Sequence, residues 1–258
     1  MPPAAFPSWI DLFPWMAAAI VACAFVWGAL LGSFVNVVAH RMPRGVSIVH
    51  GRSRCPHCGA AIRPRDNVPV VGWLWLRGRC RDCAAPISAR YPLVEAGCGL
   101  LVAAAAVVDV VPGGMDRALM WEDWLPVARF GFHGAALVTL VAWDRLAAAG
   151  PGVPRPAALV ALAAAGVAAI AWPGIQPIGV LPDGAPWPTS PPRLAALVAW
   201  MAGTAAGWIA GHGPQGRMRA MLPLLGATFG WQAVTVVAAV TAAVRALGKT
   251  AGRAADGR

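Results

Sequence analysis

A chain of 258 residues with 58% hydrophobic side chains, only 12% charged ones and a mean hydropathy of +0.61 is no ordinary soluble protein, although its length would fit one or two soluble domains. A lipid bilayer is the solvent that this composition fits. The net charge of +10, from 21 Lys+Arg against 11 Asp+Glu, suits nucleic acid or an anionic membrane surface, and the placement of the charges decides between them.

No charged side chain occurs from Leu12 to Ala39, and Met16 to Val38 is long enough to cross a hydrocarbon core, which needs ~20 helical residues. This segment reads as a span and not as a secretory signal. Its start carries only Asp11, its apolar run exceeds the roughly 7 to 15 residues of a signal, and the basic residues Arg41 and Arg44 come after it. Next comes a polar, arginine-rich loop over residues 41 to 92, the one soluble module that the sequence predicts. Beyond it, apolar segments run over Leu93 to Val111, Val127 to Trp143, Ala157 to Trp172, Leu194 to Ala210 and Ala220 to Val244, several at the short end of what spans a bilayer. The expected fold is an all-α polytopic membrane protein of about six spans. Its predicted parts are an N-terminal span (1–40), a cytosolic four-cysteine zinc-ribbon-like loop (41–92), a membrane helical bundle (93–247) and a basic tail (248–258).

Lys and Arg near span ends stay on the cytoplasmic side, and the loop from Arg41 to Pro92 holds ten arginines, so it is expected in the cytosol. The loop from Pro112 to Pro126, with Asp116, Arg117, Glu122 and Asp123, and the proline-rich stretch Pro173 to Pro192, with Asp183 and no Lys or Arg, both read as external. Arg145, Arg155, Arg217 and Arg219 return the loops near 150 and 215 to the cytosol, which leaves the amino terminus outside. The side of the basic tail stays open, because Pro223, Gly226 and Gly230 allow Ala220 to Val244 to be either one crossing or a re-entrant pair.

Of the six cysteines, Cys23 and Cys98 lie in apolar spans and read as small buried hydrophobes. The other four form two Cys-x-x-Cys knuckles, Cys55-Pro56-His57-Cys58 and Cys80-Arg81-Asp82-Cys83, separated by 21 residues. Two such knuckles complete the closed tetrahedral thiolate shell of structural zinc, and a reducing cytosol disfavours the rival reading of two disulfides. A four-thiolate shell has no open position, so this metal would hold a fold and not react. The loop has few large apolar residues for a core of its own, which is the situation that calls for a metal. His57 reads as an exposed turn residue. Nucleic acid is not an expected partner, since a basic loop set between two spans faces anionic lipid headgroups.

The runs Gly32-Ser33-Phe34-Val35-Asn36-Val37, Arg41-Met42-Pro43, Asp66-Asn67-Val68-Pro69, Gly72-Trp73-Leu74, Arg77-Gly78-Arg79-Cys80 and Pro86-Ile87-Ser88-Ala89-Arg90-Tyr91-Pro92-Leu93-Val94-Glu95, together with the first knuckle, resemble the amino-terminal half of the prepilin leader peptidase/N-methyltransferase family. The resemblance covers about residues 30 to 100 and implies a multi-pass protein of the bacterial inner membrane. It also implies a membrane aspartic protease that removes the leader of type IV prepilin or pseudopilin precursors and then methylates the new amino terminus from S-adenosylmethionine. Pilus or secretion assembly proteins are further implied partners. Asp144, at the cytosolic end of the third expected span, stands where the family has its first catalytic aspartate, and an ionisable group there is a functional candidate.

The carboxyl-terminal half departs from the family. Gly150-Pro151-Gly152 replaces a segment that carries a further aspartate, and the second catalytic aspartate aligns with Met218. Whatever the register, no Asp or Glu occurs from Gly184 to Ala255. Two carboxylates must divide acid and base work in such a protease, and Asp183 is expected on the opposite face from Asp144. The chain is also expected to stop before the family's last spans. The sequence therefore predicts a family member with its aspartic peptidase half impaired, or else a catalytically inactive relative that binds prepilin-like helices or an assembly partner; a membrane scaffold with a purely structural zinc loop is a third reading. Glu95 is expected to pair with Arg90 or another loop arginine, Asn36 to make a helix contact, and Asp66 and Asn67 to form a turn.

Overall fold

The computed structural model describes residues 14–111, 125–149, 155–171, 200–205, 208 and 223–228. The chain divides into two compact units, Met1–Gly152 and Val153–Arg258. Among the described residues the regular secondary structure is helical, apart from two isolated β-bridges in the otherwise irregular loop that holds the cysteines.

In the first unit α1 spans Pro14–Arg41, the short α2 Val71–Trp75, α3 Arg90–Asp109 and α4 Leu125–Ala149. Pro14 sits at the first helical position, where its missing N–H costs nothing. The chain leaves α1 through a 3-10 turn, Met42–Arg44, closed by Gly45 at φ 66. α1 and α3 are long and apolar enough to cross a membrane. Glycines set the distance between them: a Cβ on Gly28 would lie 2.6 Å from the Cys98 carbonyl oxygen, one on Gly32 would lie 2.9 Å from Glu95 Cα, and one on Gly99 would meet the Phe25 ring at 2.8 Å. Close backbone approach through small residues is how helices gain contact where the surroundings are as apolar as the side chains. α4 packs against both, and Ala24, Val102 and Ala106 form a buried cluster with Ile20, Phe130 and Val138 around it. The outer faces are apolar too, with Val26 and Trp27 on α1 and Leu93, Leu100 and Val108 on α3 exposed.

Cys98 is fully buried, as expected, but Cys23 is exposed: it lies on the outer face of α1, away from the contact with α3. α4 overruns its expected end at Trp143 and continues through Asp144 to Ala149, so this aspartate belongs to a helix and not to a loop boundary.

In the second unit α5 spans Arg155–Ala171, on the segment expected from Ala157 to Trp172. Gly166 lies under the Trp200 ring, where a Cβ would come within 3.0 Å, and Gly203 lies against the Gly226 carbonyl. Residues 200–205 and 223–228 are helical, and the buried Thr228 hydroxyl donates to the Leu224 carbonyl at 2.8 Å. The expected spans 194–210 and 220–244 are described only at these positions and at residue 208; Asp183, Met218, the Pro173 to Pro192 stretch and the tail lie outside the described residues.

Candidate metal centre

The two knuckles repeat one fold. In the first, Gly59 N–H donates to the Cys55 carbonyl at 2.9 Å and Cys55 N–H to the Ala60 carbonyl at 2.9 Å; in the second, Ala84 donates to Cys80 at 3.0 Å and Cys80 to Ala85 at 2.8 Å. Each knuckle turns through a left-handed residue after its second cysteine, Gly59 at φ 71 and Ala84 at φ 56, and each is flanked by a β-bridge, Arg54 with Ala61 and Arg79 with Pro86. Because the bonds are local, each knuckle presents its two sulfurs together, and the loop need only bring the knuckles face to face.

That meeting occurs. The four sulfurs of Cys55, Cys58, Cys80 and Cys83 all lie within 4.8 Å of one another, and Cys55 Sγ is 3.8 Å from Cys83 Sγ. A tetrahedron of thiolates with metal–sulfur bonds of ~2.3 Å has an edge of about 3.8 Å, so the donor set fits one metal ion, and none of the described cysteines is in a disulfide. The backbone N–H groups of Cys58 and His57 point at the Cys55 sulfur and, with help from the Cys80 and Cys58 side chains, bring its thiol down to about 6 despite burial. Cys83 goes the other way, to about 12: the Ala85 N–H favours its thiolate, but burial and the neighbouring sulfurs of Cys58, Cys80 and Cys55 outweigh it. One thiolate forms readily at neutral pH, whereas several side by side call for a cation among them. His57 is exposed and is not one of the four clustered ligands.

Around the knuckles the loop is held by polar contacts that begin and end on the helices. Arg41, at the end of α1, spreads one guanidinium over the carbonyls of Ser47 (3.1 Å), His50 (2.8 Å), Gly51 (3.0 Å) and Arg52 (3.3 Å). Asp66 ends a 3-10 turn, Pro64–Asp66, as its turn assignment predicts, and also accepts from Arg81 Nε at 2.7 Å, joining the two halves of the loop. Trp73 on α2 donates from Nε1 to the Ile87 carbonyl at 2.9 Å, and Gly78, at φ 68, lies so close beneath its ring that a Cβ would stand 2.9 Å from it.

Among the described residues Glu95 does not pair with an arginine. Its Oε2 accepts the Val70 N–H at 2.7 Å, with the Ser33 side chain beside it, so a carboxylate on α3 fastens the loop where α2 begins. The reason is positional: Glu95 lies on the α3 face turned to α1 and the returning loop, and Arg90 lies on an exposed face a turn earlier. Asn36 on α1 makes its expected helix contact, donating from Nδ2 to the Tyr91 carbonyl at 3.2 Å.

Asp144 is half-buried on α4 and makes no ion pair among the described residues. α4 runs antiparallel to α3, and His133 Nδ1 meets Asp109 Oδ2 at 2.8 Å with both side chains buried. From His133 the helix rises about 16 Å to Asp144, toward the end of the bundle from which the cysteine loop emerges. Neither Asp109 nor His133 stands in a sequence motif, and their pairing depends on helix packing.

Residues 26–108 match the family model described as the bacterial peptidase A24 N-terminal domain. The chain is similar to the prepilin leader peptidase/N-methyltransferase of Aeromonas hydrophila, at 40% identity over 139 residues (45% of this chain, 47% of the relative). It is similar to the type 4 prepilin-like proteins leader peptide-processing enzyme of Escherichia coli O78:H11, at 39% over 136 residues (46% and 51%). With the prepilin leader peptidase/N-methyltransferase of Myxococcus xanthus it shares 56% over 77 residues (30% and 23%). The chain thus spans about half the length of the first two relatives, 47% and 51%, and 23% of the third. No solved structure matches it. The matched region contains most of α1, α3 but for its last residue and all four clustered cysteines, and over it the chain is similar to the N-terminal domain of bacterial A24 peptidases and to the prepilin leader peptidase/N-methyltransferases.

Proposed function

We propose that this chain is a multi-pass protein of the bacterial inner membrane, with about six spans, that acts on the leader region of type IV prepilin- or pseudopilin-like precursors. The observation that carries the proposal is the A24 N-terminal match over 26–108 on a helix pair with an apolar outer face and a complete four-thiolate cluster. Zinc held by Cys55, Cys58, Cys80 and Cys83 serves as a structural ion that fixes the cytosolic loop 41–92; the bundle 93–247 and the tail 248–258 are the remaining parts. Zinc supplies no chemistry to the substrate here, because four thiolates leave no open position.

The peptidase half is impaired in this reading. Asp144 is the candidate catalytic carboxylate, half-buried at the loop-bearing end of α4, and the sequence offers no Asp or Glu from Gly184 to Ala255 to act with it. S-adenosylmethionine is the methyl donor that the family reading implies, and no group of described side chains is assigned to it. The lack of a second carboxylate favours an alternative as well, a catalytically inactive relative that binds prepilin-like helices or a pilus or secretion assembly partner.

The test is to incubate the purified full chain in lipid and methyl donor with a model prepilin and, separately, with its pre-cleaved form, following leader removal and methylation by mass. Methylation of a pre-cleaved substrate without leader removal is the expected result. Binding with neither reaction establishes the alternative, and no binding at all overturns both.

A further inference from the structure

The loop carries an apolar face that neither the metal cluster nor the candidate catalytic residue uses. On α2, Trp73 turns inward to the Ile87 carbonyl and Gly78, while Val71, Leu74 and Trp75, spaced as i, i+3 and i+4, turn outward. Leu74 is 61% and Trp75 75% exposed, and Val68 just before the helix is exposed with them. Large apolar groups so displayed in a loop otherwise rich in arginine need a covering partner.

Two observations identify the partner. The first is depth: Val70, which leads into α2, is tied to Glu95, and Glu95 lies about 7.5 Å along α3 from Arg90. α2 therefore starts at the level of the helix ends and not out in solution. The second is charge: Arg65, Arg77 and Arg79, on either side of α2, are exposed and make no ion pair among the described residues, whereas Arg63 and Arg81 are engaged by Asp82 and Asp66. A short helix with Trp and Leu on one face and basic residues at its flanks matches the boundary between acyl chains and anionic headgroups.

We infer that the Val71–Trp75 helix is an interfacial anchor that sets Leu74 and Trp75 into the cytosolic leaflet while Arg65, Arg77 and Arg79 hold anionic lipid headgroups. The anchor holds the metal loop flat on the membrane beside the ends of α1, α3 and α4, where a substrate segment leaving the bilayer would meet Asp144. It rests on α1 and α3 crossing the membrane and is independent of whether the chain cleaves or methylates anything.

The experiment places the photo-crosslinking residue p-benzoylphenylalanine at Leu74, and separately at Val26 on the outer face of α1, in the full chain in nanodiscs of phosphatidylethanolamine and phosphatidylglycerol. Lipid adducts are expected at both positions, with the yield at Leu74 about fivefold lower in phosphatidylcholine alone and the yield at Val26 unchanged. Adducts of Leu74 only to protein, or none, while Val26 captures lipid, would overturn the anchor. Equal Leu74 yields in the two lipids would overturn the anionic headgroup assignment. Failure at Val26 as well would show that α1 does not face lipid, and the membrane reading would fall together with the inference. Metal content measured on each labelled protein establishes that the loop is intact, and Trp75 is the substitute position if the Leu74 variant loses metal.

Discussion

The Glu95 carboxylate holds the Val70 N–H at 2.7 Å, and Val70 is the centre of a γ-turn at φ 62, ψ −54, closed by the Val71 N–H on the Pro69 carbonyl at 2.6 Å. A β-branched residue strongly disfavours that backbone, at a cost of about 1–3 kcal/mol. A hydrogen bond to a charged acceptor contributes about 1.5–3 kcal/mol, enough to offset the strain. Glu95→Leu is therefore expected to free residues 66 to 76, seen as faster tryptic cleavage after Arg65 and Arg77 in the full protein. Adding Val70→Gly to Glu95→Leu should recover protection, because it removes the strain that the carboxylate opposes. Equal cleavage of all three variants and the parent would remove Glu95 from this role.

Gly28 and Gly32 set the distance between α1 and α3, with Cβ positions 2.6 Å from the Cys98 carbonyl and 2.9 Å from Glu95 Cα, both backbone atoms that cannot rotate away. Gly28→Val is expected to separate the helices and cost at least about 1–3 kcal/mol, the usual range for overpacking. Gly97 has open space around its Cβ position, so Gly97→Val in the same helix pair is the control and should cost much less. Thermal unfolding in detergent measures both, and similar losses would refute the packing argument.

The sulfur cluster predicts one zinc ion per chain in protein purified without chelator, read by elemental analysis. Cys55→Ser and Cys80→Ser should each abolish the stoichiometric metal and open the loop to protease, because either knuckle alone supplies only two thiolates. His57→Ala should leave the metal content unchanged. Zinc lost on His57→Ala and kept on Cys80→Ser would show that the ligand set is different.

How much of this was legible in the sequence depended on how local each signal was. The cysteine cluster could be read because both knuckles are contiguous and their spacing encodes the shell. α1, α3 and α5 could be placed from apolar runs, but not oriented, because a helix whose lipid-facing side is as apolar as its packed side carries no amphipathic stripe. That is why Cys23 was expected inside and lies outside. Glu95 was given an arginine because charge suggests charge, whereas its partner is a backbone N–H supplied by a strained turn that no residue pattern announces. The repeat of the knuckles beyond their cysteines, Gly59-Ala60 matched by Ala84-Ala85, became meaningful only when both proved to carry the same two hydrogen bonds.

Asp66 gives the loop a pH dependence of definite sign. The Arg81 guanidinium, bonded to it through Nε at 2.7 Å, holds its carboxyl below the ordinary carboxylate range. A folded-state pKa lowered from the unfolded value of ~3.9 contributes stability above that value, which is lost as pH falls through the folded pKa. Asp66→Asn is therefore expected to destabilise the loop throughout the range above ~3.9 and to move its acid-induced opening to higher pH than in the parent. Hydrogen exchange of residues 64 to 76 over a pH series checks this, and coincident midpoints would show that the ion pair contributes nothing.

Asp144 is the one carboxylate on α4, half-buried and directed by the helix order toward the loop-bearing end of the first unit. A membrane aspartic protease needs a second carboxylate so that one group activates water while the other protonates the substrate carbonyl. By the family resemblance the position of that second group falls on Met218, which lies outside the described residues, and a thioether is too weak an acceptor to orient a catalytic water. Lost acid or base assistance typically lowers a rate by ~10² to 10⁴-fold, so leader cleavage by this chain is expected to lie that far below a complete enzyme measured beside it. Met218→Asp with Arg217→Gly, which restores the carboxylate and the small residue before it, is the gain-of-function counterpart and should raise cleavage while leaving zinc content unchanged. Cleavage by the parent that persists in Asp144→Asn would refute the assignment of Asp144, and rapid cleavage abolished by that substitution would mean that another carboxylate reaches the site.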